Sequence, residues 1–153
     1  MFRAAAVLLV FMASAIADTR HEPTLRRTFD AVQGNWHATS MIESGNPVDA
    51  KRLSEMSSRF DADVMTRSSS PEEAVRLSID VTKTPFAVEW LDRHGRTTQG
   101  VLQAKDGRID MCYTVVEFNG ERTGLRAPTD FQSTPANKAT RIAYERKSPP
   151  GGR

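Results

Sequence analysis

Val32-Gln33-Gly34-Asn35-Trp36 is the junction from which the fold of this chain is read. Ahead of it, Leu25, Phe29 and Val32 recur at helical spacing within residues 24–33. That spacing predicts one short amphipathic helix, with Thr24 as its cap and Gly34 as its stop. Behind it the period becomes two, which predicts a strand over residues 36–42. Trp36, Ala38, Ser40 and Ile42 share one face, and His37, Thr39, Met41 and Glu43 share the other. The switch falls on a glycine, the residue that tolerates strained backbone or a close approach.

Outward from this junction the chain keeps alternating. Gly45-Asn46-Pro47 is a turn, and residues 48–57 are a connection with a helical turn near residues 50–53. A second strand is expected over residues 59–65 around Phe60, followed by a loop at Ser68-Ser69-Ser70-Pro71. Residues 74–83 carry the clearest alternation: Val75, Leu77, Ile79 and Val81 against Arg76, Ser78, Asp80 and Thr82. This is the mark of a half-buried antiparallel strand. Thr84-Pro85 ends it. Phe86, Val88 and Trp90 alternate next, before a turn over residues 92–96. A strand over residues 97–104 carries Gly100 as a bulge or close-approach point. Asp106-Gly107 and Asn119-Gly120 are hairpin turns around Ile109, Met111, Tyr113 and Val115. Residues 122–137 form a long polar loop, residues 140–147 the last strand with Ile142 and Tyr144 on one face, and residues 148–153 a disordered tail.

Short strands joined by hairpins make an antiparallel sheet that closes or sandwiches. The expected fold is all-β: a single antiparallel up-and-down barrel of about eight strands with a short N-terminal helix. An immunoglobulin-like sandwich is disfavoured, because its Cys…Trp…Cys core is missing and neighbouring strands are joined by short connections.

Residues 1–17 read as a secretory signal peptide. Arg3 gives the positive start, residues 4–16 are almost wholly apolar, and Ala15-Ile16-Ala17 is a cleavage site that makes Asp18 the mature N-terminus. A membrane anchor needs roughly 20 apolar residues, and Arg20 and His21 follow too soon. The expected location is therefore the periplasm or the exterior. The domain plan is signal peptide 1–17, arm and helix 18–31, barrel 32–147 and tail 148–153. Of 153 residues, 21 are Lys or Arg and 19 are Asp or Glu, a formal net charge of +2. The signs are interspersed, with no basic run threaded by aromatics, so nucleic acid is not an expected partner. Cys112 is the only cysteine. An intramolecular disulfide is therefore ruled out, and a small buried strand residue is the reading for Cys112.

The order of motifs resembles an uncharacterised planctomycete-type family of small secreted Gly-x-Trp domains. The opening is Val32-Gln33-Gly34-Asn35-Trp36, followed by Gly45-Asn46-Pro47, by Leu77 to Val81 with Lys83-Thr84-Pro85, and by Asp106-Gly107 with Ile109-Asp110-Met111-Cys112. Pro128-Thr129-Asp130-Phe131 matches an Arg-Pro-Thr-x-Phe motif, with Ala127 in the arginine's place and Arg126 one position earlier. Ile142 to Arg146 matches the closing strand, with Glu145 where lysine is expected. The resemblance covers residues 32–147 and implies a lipocalin-like barrel with no established activity. In such barrels the Gly-x-Trp tryptophan closes one end under an arginine from the last strand. Gly34, Trp36 and Arg146 are the matching structural residues, with Arg141 as the fallback partner.

No catalytic or cofactor motif follows Trp36, and no cofactor is expected. His21, His37 and His94 show no ligand spacing with one another or with Cys112, so no metal site is expected. Asp61, Asp63, Glu72, Glu73, Asp80, Glu89 and Asp92 offer carboxylates, and acid–base work would need two of them facing one cleft. Asp80 and Glu89 sit on polar strand faces, where a solvated surface is expected, and the chain is not expected to be an enzyme. Two partner classes stay open for an expected monomer. A small apolar molecule would enter the barrel and meet Leu77, Ile79, Phe86, Val88, Trp90, Ile109, Met111 and Tyr144, alongside Val75 and Ile142. If those side chains simply fill the barrel, the protein is a scaffold for an envelope protein, with residues 122–137 as the contact surface.

Overall fold

The computed structural model describes residues 22–146. The signal-peptide, mature-terminus and tail readings lie outside these residues. Helix α1 (Glu22–Val32) runs into strand β1 (Gly34–Glu43). The two-residue β2 (Asn46–Pro47) and the short α2 (Ala50–Ser54) follow. Then come β3 (Ser57–Asp61), β4 (Val64–Arg67), β5 (Ser70–Arg76), β6 (Ser78–Asp80), β7 (Phe86–Leu91), β8 (Arg96–Lys105), β9 (Arg108–Phe118), the two-residue β10 (Glu121–Arg122) and β11 (Thr140–Arg146).

All strands join one antiparallel sheet of order β5-β4-β3-β1-β11-β9-β8-β7-β6, with β2 on β1 and β10 on β9. Its two edge strands, β5 and β6, are consecutive in sequence and separated by Leu77 alone. One segment therefore supplies both edges and brings the sheet to near closure. Counting that segment once, the nine strands of the path give eight staves. This is an up-and-down barrel, and the first and last strands pair from Trp36↔Arg146 to Glu43↔Thr140.

Several local readings are corrected by the structure. Thr24 does not cap α1 but lies within it, and Ser70-Pro71 opens β5 in place of ending a loop. Residues 59–65 are not one strand but a hairpin, because Ala62 takes a left-handed backbone (φ +52°) and reverses the chain. Gln33 holds this turn, accepting from the Ala62 N–H at 2.7 Å and donating to the Ala62 carbonyl at 3.0 Å. The register of β1 shifts between Ala38 and Ser40, so Met41 turns inward in place of Ser40 and Ile42. A bulge does this because one extra residue exchanges the faces of everything after it. The long strand at residues 74–83 keeps its alternation, with Val75, Leu77 and Ile79 buried, but changes partner at Leu77. Before the break β5 pairs with β4; after it β6 pairs with β7. Beside the break, Glu73 on β5 reaches across to His94 (2.7 Å) and Arg93 (2.9 Å). The hydrogen bond from His94 is the main reason the Glu73 carboxyl lies below the usual carboxylate range.

The barrel end at Gly34 is tied by three residues. Trp36 is buried, and its Nε1–H donates to the Val32 carbonyl at 2.6 Å. The Arg146 guanidinium lies 4.6 Å from the Trp36 ring centroid. It also donates to the carbonyls of Gln33 (2.9 Å) and Ala31 (3.0 Å). Arg146 is thus a cation on the carbonyl end of α1, where the helix leaves acceptors unpaired and the dipole favours positive charge. Gly34 takes φ +106°, and a Cβ there would lie 3.4 Å from the Arg146 Nη1.

Gly100 marks a closer approach. A Cβ at this position would fall 2.0 Å from the Cys112 carbonyl oxygen and 2.7 Å from the Tyr113 Cα, both backbone atoms of β9. Gly100→Ala must push β8 off β9 and is expected to cost about 1–3 kcal/mol. A urea midpoint equal to that of the parent protein would show that the two strands are not so close.

Candidate functional site

The residues expected to meet an apolar ligand are brought together, but as a packed core. Leu77, Ile79, Val88, Trp90, Ile109, Met111 and Tyr144 belong to one buried cluster with Val75 and Ile142, and Phe86 packs half-buried against it. Trp36, Phe60, Met65 and Leu102 fill the same interior. Leu25 and Phe29 of α1 pack on this cluster before β1; Val48, Leu53 and Met56, flanking or within α2, do so after it. The two helices thus serve opposite ends of that strand. Inside, the Tyr144 hydroxyl meets the Ser58 hydroxyl at 3.1 Å, and burial pushes the Tyr144 phenol up to about 12.

The space of ligand size lies on the outside of the wall. A cavity of about 580 Å³ is floored by outward positions of β6, β7 and β8, among them Ser78, Asp80, Ala87, Glu89, Gln99 and Val101. Ala127, Pro128 and Thr129 form its far wall, and Lys83, Thr84 and Pro85 close one end. A second cavity of about 510 Å³ shares Glu89, Gln99 and Ala127 with the first and continues past Val116, Arg122, Leu125 and Arg126. Together they make one outer groove, apolar at Ala87, Val101 and Pro128 and polar at Glu89 and Gln99. Ala127, where the resemblance expects an arginine, offers only a methyl group to both halves. A third space, about 490 Å³, lies between Leu25 and Phe29 of α1 and the Leu77 break.

The groove exists because residues 123–139 are strapped to the barrel. Thr123 donates through its hydroxyl to the Val115 carbonyl at 2.8 Å. The Gly45 N–H donates to the Ser133 hydroxyl at 3.0 Å and the Ser44 N–H to the Ala139 carbonyl at 3.0 Å, while Ser133 closes the strap on itself by donating to the same Ala139 carbonyl at 2.6 Å. Beneath the strap Val101, Cys112 and Ala139 form a second small core against Phe131. The long loop that the sequence offers as a contact surface therefore has its inner side committed. Sequence alternation places Ala87 and Glu89 outward, but nothing local reveals that a segment about 40 positions further on roofs them.

Cys112 lies fully buried under this strap, and burial raises its thiol to about 11. A buried neutral thiol is a poor nucleophile. Iodoacetamide at pH 8 is therefore expected to label Cys112 only after unfolding in urea, read by intact mass. Rapid labelling of the folded protein would mean that the strap opens freely.

Asp80 and Glu89 do line one groove. Both already accept oriented hydrogen bonds: Glu89 from the Gln99 amide, and Asp80 from the Thr82 N–H (2.9 Å) and hydroxyl (2.6 Å). Such carboxylates suit the recognition of a hydrogen-bonding ligand. Compared with known protein families, curated proteins and solved structures, this chain matches none.

Proposed function

We propose that this chain is an exported binding protein whose barrel is a filled scaffold, and whose ligand, a small molecule with an apolar body, sits in the outer groove. The observation that carries this reading is the contrast between the two places. The interior holds Trp36, Phe60, Met65, Leu102, Ile109, Met111 and Ile142, each under 2 % exposed. The outer groove offers about 580 Å³ in its larger half, inside the range of roughly 300–1,000 Å³ typical of small-molecule sites. Glu89 and Gln99 would fix the orientation of the ligand, and Ala87, Val101 and Pro128 would cover its apolar part. Export is proposed from residues 1–17, and membership of the planctomycete-type family from the motif order. Catalysis is not part of this reading.

Titration with N-phenyl-1-naphthylamine, a neutral apolar fluorophore, tests the proposal. Saturable binding at one site per chain is expected. Ala87→Phe, which fills the groove from an outward position, should abolish binding while leaving the melting temperature within a few degrees. Binding that survives Ala87→Phe, or no saturable binding at all, would overturn the groove reading. A second reading, a scaffold for an envelope protein, is favoured by Leu91 and Phe118, large apolar side chains 63 % and 47 % exposed. They end β7 and β9 on the same rim of the sheet, beside Thr97 and Arg96 of β8.

A further inference from the structure

Arg67 ends β4 two residues after the buried Met65, so strand alternation turns it toward the barrel interior. There its guanidinium carbon lies 5.9 Å from the Trp90 ring centroid and 5.8 Å from that of Tyr113. The two rings meet edge to face with their centroids 5.0 Å apart. The side chains of Arg67 and Tyr113 are both half-buried. Attraction to the ring faces accounts for the position of the cation. It does not use the five N–H donors in the guanidinium plane. Among the described residues, no carboxylate pairs with the Arg67 guanidinium and no group accepts a hydrogen bond from it. The Tyr113 hydroxyl also has no hydrogen-bond partner among the described residues.

Two polar pairs near this site are already matched internally. Tyr144 and Ser58 share a hydrogen bond. Glu43, a carboxylate that acts electrostatically on Tyr113, is held two-pronged by Arg52 at 2.8 and 2.9 Å. A half-buried cation over two rings is left without a carboxylate partner, and its N–H donors, which reach solvent, are open to an anion.

We infer that Arg67 and Tyr113 form an oxyanion site at this end of the barrel, taking the carboxylate or phosphate group of a small ligand. The planar guanidinium presents two parallel N–H bonds to such a group, and the Tyr113 hydroxyl adds a third. Neither residue lines the outer groove, so this site stands apart from the reading above and does not depend on it.

Two anions distinguish the possible sources: inorganic phosphate for a free oxyanion, and octanoate for a carboxylate on an apolar tail. Each is titrated against sodium chloride at matched ionic strength, with tryptophan emission and melting temperature as readouts, because Trp90 lies beside the cation. At least one anion is expected to give a saturable emission change and a raised melting temperature. Response to phosphate alone assigns a free oxyanion, and response to octanoate alone a tailed carboxylate. Arg67→Gln should abolish the response. Arg67→Lys, which keeps the charge and loses the fork, should weaken it about tenfold, and Tyr113→Phe should weaken it severalfold. Circular dichroism of each variant checks that the barrel persists. If Arg67→Gln fails to fold, the two conservative variants decide. No saturable response beyond chloride, or parental affinity in both Arg67→Lys and Tyr113→Phe, would overturn the site.

Discussion

Trp36→Ala is expected to cost about 3–5 kcal/mol of folding stability. Three losses combine in that one substitution. The barrel end loses its largest buried side chain, the Val32 carbonyl loses the indole N–H at 2.6 Å, and Arg146 loses the ring 4.6 Å beneath it. The cation–ring part alone is worth about 0.5–2 kcal/mol. Arg146→Lys isolates it: lysine keeps the charge but cannot both stack and fork onto the Gln33 and Ala31 carbonyls. That variant should fall between the parent and Trp36→Ala in urea unfolding. A Trp36→Ala protein within about 1 kcal/mol of the parent would mean that this end of the barrel is not closed as described.

Leu77→Ala is the second large effect, expected at about 2–5 kcal/mol. Leu77 is 3 % exposed and is the single residue between the two edge strands. Its N–H donates to the Asp63 carbonyl at 2.7 Å, which extends the pairing of β5 with β4 by one residue before the chain moves on to β7. The substitution keeps this bond and removes the side chain that anchors the change of partner in the core. Its exposed neighbour provides the control, since Ser78→Ala should stay within about 0.5 kcal/mol. Equal shifts of the urea midpoint in the two variants would contradict the inward and outward assignment of this segment.

Much of the barrel was legible because its signals are local. Asp106-Gly107 and Asn119-Gly120 both take positive φ at both residues, as their hairpins demand. The Val75, Leu77 and Ile79 alternation needs no partner to be read. The contact between Arg146 and Trp36 followed from the resemblance and from pairing the first and last strands. What stayed hidden depends on distant residues. The Ala62 turn carries no glycine or asparagine and is held by Gln33, 29 positions away. The bulge in β1 appears only in its register with β11, while the Ala38 N–H goes to the Met56 carbonyl at 3.0 Å. Cys112 reads as a small buried strand residue and is one, but Val101 looks like an ordinary outward position, and nothing local shows that the strap with Phe131 joins the two in a core. The outer groove is a product of that same strap. Alternation from Met65 does point Arg67 inward, but its ring partners come from β7 and β9, far along the chain.

The proposed function has the barrel filled and the apolar ligand held on its outer wall. Amide chemical-shift mapping with N-phenyl-1-naphthylamine tests it most directly. Shifts are expected at Ala87, Gln99, Val101, Ala127 and Thr129, with Leu102, Met111 and Ile142 unmoved. Shifts concentrated at Leu102, Met111 and Ile142, with the groove residues silent, would place the ligand inside the barrel and contradict it.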